Sequence, residues 1–506
     1  MPFLVLVPVH PQSDRLQGLD TYVERALAEW RVPGVAIAVV KDDAVVLAKG
    51  YGVREHLKPA RVDQGTLFAI GSCSKAFAAA TVAMLVDEGK LGWEDRVQGY
   101  LPWLEFYDPW VTHEIRVREL LAHRLGTSYL IENRLRPVAA NARDLLQRAR
   151  SVQPVAPFRE RYVYSNNAFI AAGQLVSAVS GRKWEDFARD RLWLPLGMRS
   201  TNASVPAVND SANRAVPHVI VNDQVVPIRW EYPDAVAVPS GGVNSTALDM
   251  AQWLRFQLGE GRHDGRQLIS SGAFQKMHQP QTIALTPTED PPIARLAKME
   301  GLEARFWAYG LGWFVTEFHN RKLLWHSGSI TGFRSVVGLL PEERLGVAVL
   351  INQEPADLMY ALLFRILDTY LGGPDTDWNA KFLATAKVQW REQQDEQRRL
   401  DQARRRGTTP SLPLDKYVGT YADPAFGEAQ IALEAGTLSL RIGGLRGQLE
   451  HWHHDVFRTA MIWGSQPYTR SFVTFSVNEH GEIGAMDVQE MSRFTRMAPR
   501  EGGAVR

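Results

Sequence analysis

Two groups of apolar strand-like runs, far apart in the chain, constrain the fold most. The first is VPGVAIAVVKDDAVVLAKGYG (Val32–Gly52), two β-branched runs joined at KDD, which reads as a hairpin. The second group, YGLGWFV, LLWHSG, SVVGLLP and LGVAVLINQ, follows at short intervals between Tyr309 and Gln353. Between them the period turns helical: FAIGSCSKAFAAATVAMLV (Phe68–Val86), VRELLAH (Val117–His123), NAFIAAGQLVSAVSG (Asn167–Gly181) and STALDMAQWLRFQL (Ser245–Leu258). A further helical pattern runs from Leu16 to Trp30, and Gly89 suits a helix C-cap. Strands at both ends with helices between them predict an α+β domain: one antiparallel sheet, completed by N- and C-terminal strands and covered by helices.

The pattern changes near Asp375. KVQWREQQDEQRRLDQARRR (Lys387–Arg406) is nearly all polar, and GTTPSLP follows, which predicts an exposed helix and a Pro/Thr linker. From Asp415 onwards there are only short strands and tight turns, the pattern of a small antiparallel β-barrel. The expected divisions are 1–375, a charged linker helix over 376–413, and a barrel over 414–506. Acids interleave the arginines of the linker, so a solvated helix accounts for them. The whole chain of 506 residues carries 57 basic and 56 acidic side chains, which gives no argument for nucleic acid as a partner. The single cysteine, Cys73, excludes an intrachain disulfide. MPFLVLVPVHPQ lacks a basic n-region and has prolines within its apolar run, so it reads as an extended arm rather than a signal peptide. No uncharged apolar run reaches the roughly 18–20 residues of a membrane span. The expectation is a soluble, cytoplasmic protein with no membrane partner.

Ser72 opens an apolar helix and Lys75 lies one turn further on. Residues three apart share a helix face, so the Lys75 amine can reach the Ser72 hydroxyl. Apolar surroundings favour a neutral amine, which can take a serine proton. The helix N-terminus adds positive potential near a developing oxyanion. An N-cap serine with a snorkelling lysine would need no such chemistry. A second Ser-x-x-Lys, Ser180–Lys183, sits beside Gly181 at a helix end, where a turn with an exposed lysine suffices. Cys73 is two positions from Lys75 and does not share its face, so it reads as a packing residue. Tyr164-Ser165-Asn166 precedes the next apolar helix. A tyrosine beside a lysine cation ionises more readily, and an asparagine can hold the lysine while donating its amide to a carbonyl. The register Ser165-x-Asn167 offers a serine hydroxyl instead, and an Asx-type cap explains the same residues without chemistry. His326-Ser327-Gly328 ends an apolar strand. Gly328 allows a substrate backbone to pair along the strand edge, and the Ser329 N–H can join that of Ser72 in an oxyanion hole.

The three elements together resemble the penicillin-recognising serine hydrolase superfamily, which includes class C β-lactamases, D,D-peptidases, D-aminopeptidases and family VIII carboxylesterases. Its signature is Ser-x-x-Lys, then Tyr-x-Asn, then Lys/His/Trp-x-Gly, in that order. VPGVAIAVV, ELLAHRLG, PSGGVNSTALDMAQWL and YGLGWFV match as well, over roughly residues 17–372. The tail is similar to the lipocalin-like domain attached to some of these proteins, in YVGTYADPAFGEAQIALEAGTLSLRIG and LEHWHHDVF. The resemblance implies acylation of Ser72, then attack by water, with Lys75 or Tyr164 as base. It implies Asn166 as the group positioning substrate and lysine, His326 as a substrate or transition-state contact, and Gly328 and Ser329 at the oxyanion. It implies a small-molecule or peptide substrate with an amide or ester bond, no cofactor and no metal. It leaves a homo-oligomer open, and suggests that the barrel can cap the cleft.

Lactamases and D,D-carboxypeptidases usually carry a lysine where His326 stands. A histidine with its ordinary pKa of about 6.5 is mostly neutral at pH 7 and would gain a proton near pH 6, improving the binding of carboxylate-bearing substrates there. Arg334, in GFRS, is the candidate replacement cation. D-aminoacyl amides, peptides and carboxylic esters are therefore the first expectation. β-Lactamase or D,D-carboxypeptidase activity is the alternative, and a penicillin-binding sensor without turnover a further one. Gly-x-Ser-x-Gly is absent, His113-Glu114 lacks the second histidine of a zincin motif, and His451, His453 and His454 read as a solvated strand face.

Overall fold

The computed structural model describes residues 15–230, 234–284, 294, 296–373, 375–463 and 466–498. The N-terminal arm expected over MPFLVLVPVHPQ lies outside the described residues.

An eight-stranded sheet forms the centre. Its order is Ala44–Gly52, Gly34–Lys41, Leu345–Ile351, Phe333–Leu340, Arg321–Ile330, Phe314–Phe318, Ala308–Tyr309 and Thr282–Ile283, and the pairings are antiparallel. The expected hairpin is present. Asp42 and Asp43, both with positive φ, turn it, the conformation that a two-residue hairpin loop requires. The N-terminal strand pairs with the distant strand Leu345–Ile351 (Val35 opposite Ile351), so the two ends of the domain close one sheet. The run GVAIAVV is buried on both faces, which is why it reads as continuously apolar rather than alternating. Each buried Val or Ile there contributes about 1.5–3 kcal/mol relative to exposure.

Two glycines mark how closely the helices approach. A Cβ on Gly346 would come within 3.1 Å of Leu254, from the helix Ala247–Leu258. A Cβ on Gly338 would come within 2.7 Å of Leu363, from the helix Leu358–Leu371. Thr246 caps the first of these, accepting from the Asp249 N–H. The Asp249 carboxylate does not complete a capping box; it accepts from Ser200, Thr201 N–H and the Thr201 hydroxyl instead.

The helix expected over 376–413 ends well before 413, and it is not solvated throughout. It runs from Trp378 to Ala403, with Asp377 as its cap. Its first turns are apolar on one side: Trp378 and Phe382 pack against Phe364, and the Trp378 indole donates to Asp368 at 2.6 Å. Only the later turns are solvated. The strands from Gly419–Asp423 to Ser492–Arg496 close into an eight-stranded antiparallel barrel, sealed by Tyr421 opposite Arg496. Its interior is filled by side chains such as Tyr417, Tyr421, Phe457 and Phe475, which pack ring to ring. The barrel packs directly against the sheet domain. The Gly444 N–H donates to the Pro137 carbonyl at 2.9 Å, and Arg148 donates to the Ala425 carbonyl at 3.2 Å. Among the described residues no helix is long and apolar enough to cross a membrane.

Candidate active site

Ser72 lies in a single 3-10 turn, Gly71–Cys73, that runs directly into the helix Ser74–Asp87. Gly71 has φ +50°, and a Cβ there would sit 2.7 Å from the Ser329 nitrogen. A Cβ on Gly328 would fall 1.9 Å from the Ile70 carbonyl oxygen. Two glycines, one on each side, thus let the turn that carries Ser72 lie flat on the strand Arg321–Ile330. This close approach brings the Ser329 N–H beside the Ser72 turn.

Lys75 is fully buried. Its ammonium donates to three acceptors: Ser72 Oγ at 3.0 Å, Asn166 Oδ1 at 2.7 Å and the Ser240 carbonyl at 2.7 Å. Burying a charge without partners costs several kcal/mol, and here each N–H has one. The Tyr164 ring lies 4.7 Å from the Lys75 nitrogen and the Phe169 ring 5.4 Å away. The structure therefore brings together Ser72, Lys75, Tyr164 and Asn166, which come from two segments about 90 positions apart.

Tyr164 and Asn166 are held by a buried framework. Glu132 Oε1 accepts from the Ser165 hydroxyl at 2.6 Å, and its Oε2 accepts the N–H groups of Asn166 (2.6 Å) and Asn167 (3.0 Å). It thereby satisfies the first orphan donors of the helix Asn166–Ser180. Burial raises the Glu132 pKa. His123 Nδ1 accepts the Ser165 N–H at 3.0 Å, and its ring lies 4.2 Å from that of Tyr164. Burial, and then the Lys75 charge, holds the His123 pKa well below its ordinary 6.5. In the alternative register, the Asn167 side-chain amide is buried and has no hydrogen-bond partner among the described residues.

His326 is also buried, and both its nitrogens are engaged: Nδ1 with the Ser327 carbonyl at 2.7 Å, Nε2 with the Tyr309 hydroxyl at 3.0 Å. The Ser327 carbonyl can only accept, so Nδ1 donates to it, and in the neutral ring Nε2 then accepts from the Tyr309 hydroxyl. Burial, then the Lys75 charge, pushes its pKa down to about 3. The expected gain of a proton near pH 6 is not met, because that expectation used the solvent value for a group that the fold removes from solvent. Arg334 does not stand free as a replacement cation; it is ion-paired with Glu354. Cys73 points the other way, towards the His326 carbonyl (3.3 Å) and the Ser335 hydroxyl (3.2 Å), and burial pushes its thiol up to about 12.

Ser240, Glu132, His123 and Tyr309 did not emerge from the motifs. Three of them stand inside stretches already noticed: PSGG, ELLAH and YGLGW. Ser240 acts through its backbone carbonyl, which carries no side-chain signature. In the barrel, His451 bonds the His454 carbonyl at 2.9 Å, and a bulge interrupts the strand between His451 and His453.

Comparison with known proteins gives two family matches: Beta-lactamase over residues 19–370, and Domain of unknown function (DUF3471) over residues 403–500. The unguisins hydrolase ungD' of Aspergillus campestris is 29% identical over 448 residues, spanning 82% of this chain and 77% of that protein. The unguisins hydrolase ungD of Aspergillus violaceofuscus is 25% identical over 495 residues, spanning 88% and 83%. In fold, the chain is similar to the octameric penicillin-binding protein homologue from Pyrococcus abyssi, with a TM-score of 0.61 at 22% identity, over 95% of this chain and 100% of that one.

Proposed function

The chain belongs to the Beta-lactamase family, and on that premise we propose that it is a serine hydrolase that cleaves ester or amide bonds through an acyl-enzyme on Ser72. One observation carries the reading: a buried lysine amine 3.0 Å from a serine oxygen at the mouth of a helix, held there by Asn166 and the Ser240 carbonyl. The hydrolase names of the two fungal relatives support the same reaction class.

In this mechanism the Ser72 oxygen attacks the substrate carbonyl carbon while its proton passes either to Lys75 in its neutral-amine form or, with Lys75 as the ammonium, to the Tyr164 phenolate beside it. The oxyanion is received by the N–H groups of Ser72 and Ser329, the type of donor pair worth about 3 kcal/mol per donor in acyl transfer. The same base returns the proton to the leaving group, and water, deprotonated in its turn, releases the acid. Asn166 keeps the Lys75 amine aimed at Ser72. His326 presents a neutral wall, and any hydrogen bond from it to a substrate must replace the Ser327 or Tyr309 bond. With Arg334 paired to Glu354, these two positions offer no fixed cation for a substrate carboxylate. This favours aryl esters and D-aminoacyl amides or peptides over β-lactams.

The test is a screen of purified protein against nitrophenyl esters, D-aminoacyl amides and a chromogenic cephalosporin. Steady turnover of the neutral substrates is expected. An acylation burst without turnover would make the protein a sensor, and a dominant cephalosporin activity would make it a lactamase.

A further inference from the structure

The short helix Tyr129–Leu135 and the turn Arg136–Val138 that continues it face two ways. Inward, three of its residues hold the loop that carries Tyr164 and Asn166. The Tyr129 N–H donates to the Tyr164 carbonyl at 3.0 Å, Glu132 takes the Ser165 hydroxyl and two backbone N–H groups, and Asn133 Oδ1 accepts from the Asn166 side-chain amide at 3.1 Å. Outward, the same segment holds the barrel. Arg134 is ion-paired with Glu490, and the Pro137 carbonyl accepts the Gly444 N–H at 2.9 Å.

The barrel side of this contact is built, not incidental. Glu490 lies in the hairpin turn after the strand Ile483–Val488, and Gly444 in the turn after Thr437–Ile442. In an up-and-down barrel alternate turns share an end, so these two lie at the same end, with the Ala425 turn that receives Arg148. A Cβ on the adjacent Gly443 would fall 2.8 Å from the Val138 Cα, so the approach there is as close as backbones permit.

We propose that the barrel sets the geometry of the Tyr164–Asn166 loop through this helix, with Glu490 and Arg134 as positioning residues for the reaction. Asn166 bonds both Asn133 and the Lys75 amine, so a displacement of the helix is passed to the lysine through one side chain. The readout in catalysis rests on the reading of Ser72, Lys75 and Tyr164 as the reacting groups; the readout in structure does not.

The experiment uses the full chain and reciprocal charge reversal: Glu490→Arg, Arg134→Glu, and both together. Steady-state hydrolysis of a nitrophenyl ester is measured beside hydrogen exchange of the peptide containing Asn166 and Asn167, whose amides Glu132 holds. Each single reversal is expected to lower kcat by about 5- to 10-fold with KM changed less than about twofold, the scale of exchanging one ion pair for a repulsion. The peptide should exchange faster in each single variant. The double reversal should return kcat to within about twofold of wild type, together with slow exchange. If a reversal does not fold, Glu490→Gln provides the milder break, with a smaller loss in the same direction. Wild-type kcat and exchange in the single variants would overturn the proposal. So would faster exchange with unchanged kcat, or a double variant no better than the singles. If the wild-type chain hydrolyses nothing, the functional reading fails, and hydrogen exchange alone still decides whether barrel and loop are coupled.

Discussion

The chain holds Ser-x-x-Lys twice, and the two copies share spacing but little else. At Ser72–Lys75 the serine sits on a 3-10 turn feeding a helix, and the lysine is buried among three oxygen acceptors. At Ser180–Lys183 the serine ends a helix, with Gly181 as a left-handed C-cap, and among the described residues its hydroxyl bonds the backbone of Arg182. Lys183 is exposed and precedes the next helix, Trp184–Ala188. The tetrad itself therefore carries no chemistry. What makes one copy a candidate nucleophile is what surrounds it: a helix beginning rather than ending, a partner asparagine from another segment, and a strand whose Gly328 admits the turn.

The largest expected effect is at the serine. Ser72→Ala should lower hydrolysis to below about one thousandth of wild type with the thermal transition retained, because Ser72 is only half-buried and makes one of the three Lys75 contacts. Full activity in this variant would erase the distinction between the two copies. Next, Lys75→Ala and Tyr164→Phe should each reduce kcat by about 10²-fold or more, the usual scale for losing a general base. If the two side chains move one proton as a unit, the double variant should be little worse than the poorer single. Fully multiplicative losses would instead place only one of them on the proton path.

A smaller effect concerns pH. The folded pKa of His326, about 3, lies below its ordinary 6.5. As pH falls below 6.5 the unfolded chain binds this proton first, so the folded state loses stability progressively towards pH 3. The urea midpoint should therefore fall between pH 7.5 and pH 5, and fall less in His326→Gln. Over the same interval the ratio of specificity constants for carboxylate-bearing and neutral substrates should stay flat, since His326 remains neutral. A rise towards pH 6 would mean that the imidazole titrates in contact with solvent. The smallest expected effect is at the second tetrad: Ser180→Ala and Lys183→Ala should leave kcat within about twofold of wild type, as for surface changes with no shared partners.

Much of this was legible in the sequence, and the reasons differ by region. The hairpin, the distant closing strand and the barrel were readable because burial on one or two faces imposes a period on side chains. The Ser72–Lys75 pairing was readable because helical spacing is a local rule. The docking of the first turns of the polar helix was not, since its apolar side is only a few residues deep and is hidden by the charges that follow. The support of the site was the least legible. Glu132 caps a helix that begins more than thirty positions later, Ser240 contributes a carbonyl, and His326 has a shifted pKa only because the fold buries it. Each depends on a long-range contact that leaves no local pattern.

Which side chain becomes covalently modified tests the assignment of Ser72 most directly. Purified protein treated with a fluorophosphonate probe, then digested and mapped by mass spectrometry, should carry one adduct, on Ser72, and Lys75→Ala should slow its formation without moving it. An adduct on Cys73 or Ser180, or none on Ser72 while ester hydrolysis proceeds, would contradict the assignment of this serine as the nucleophile.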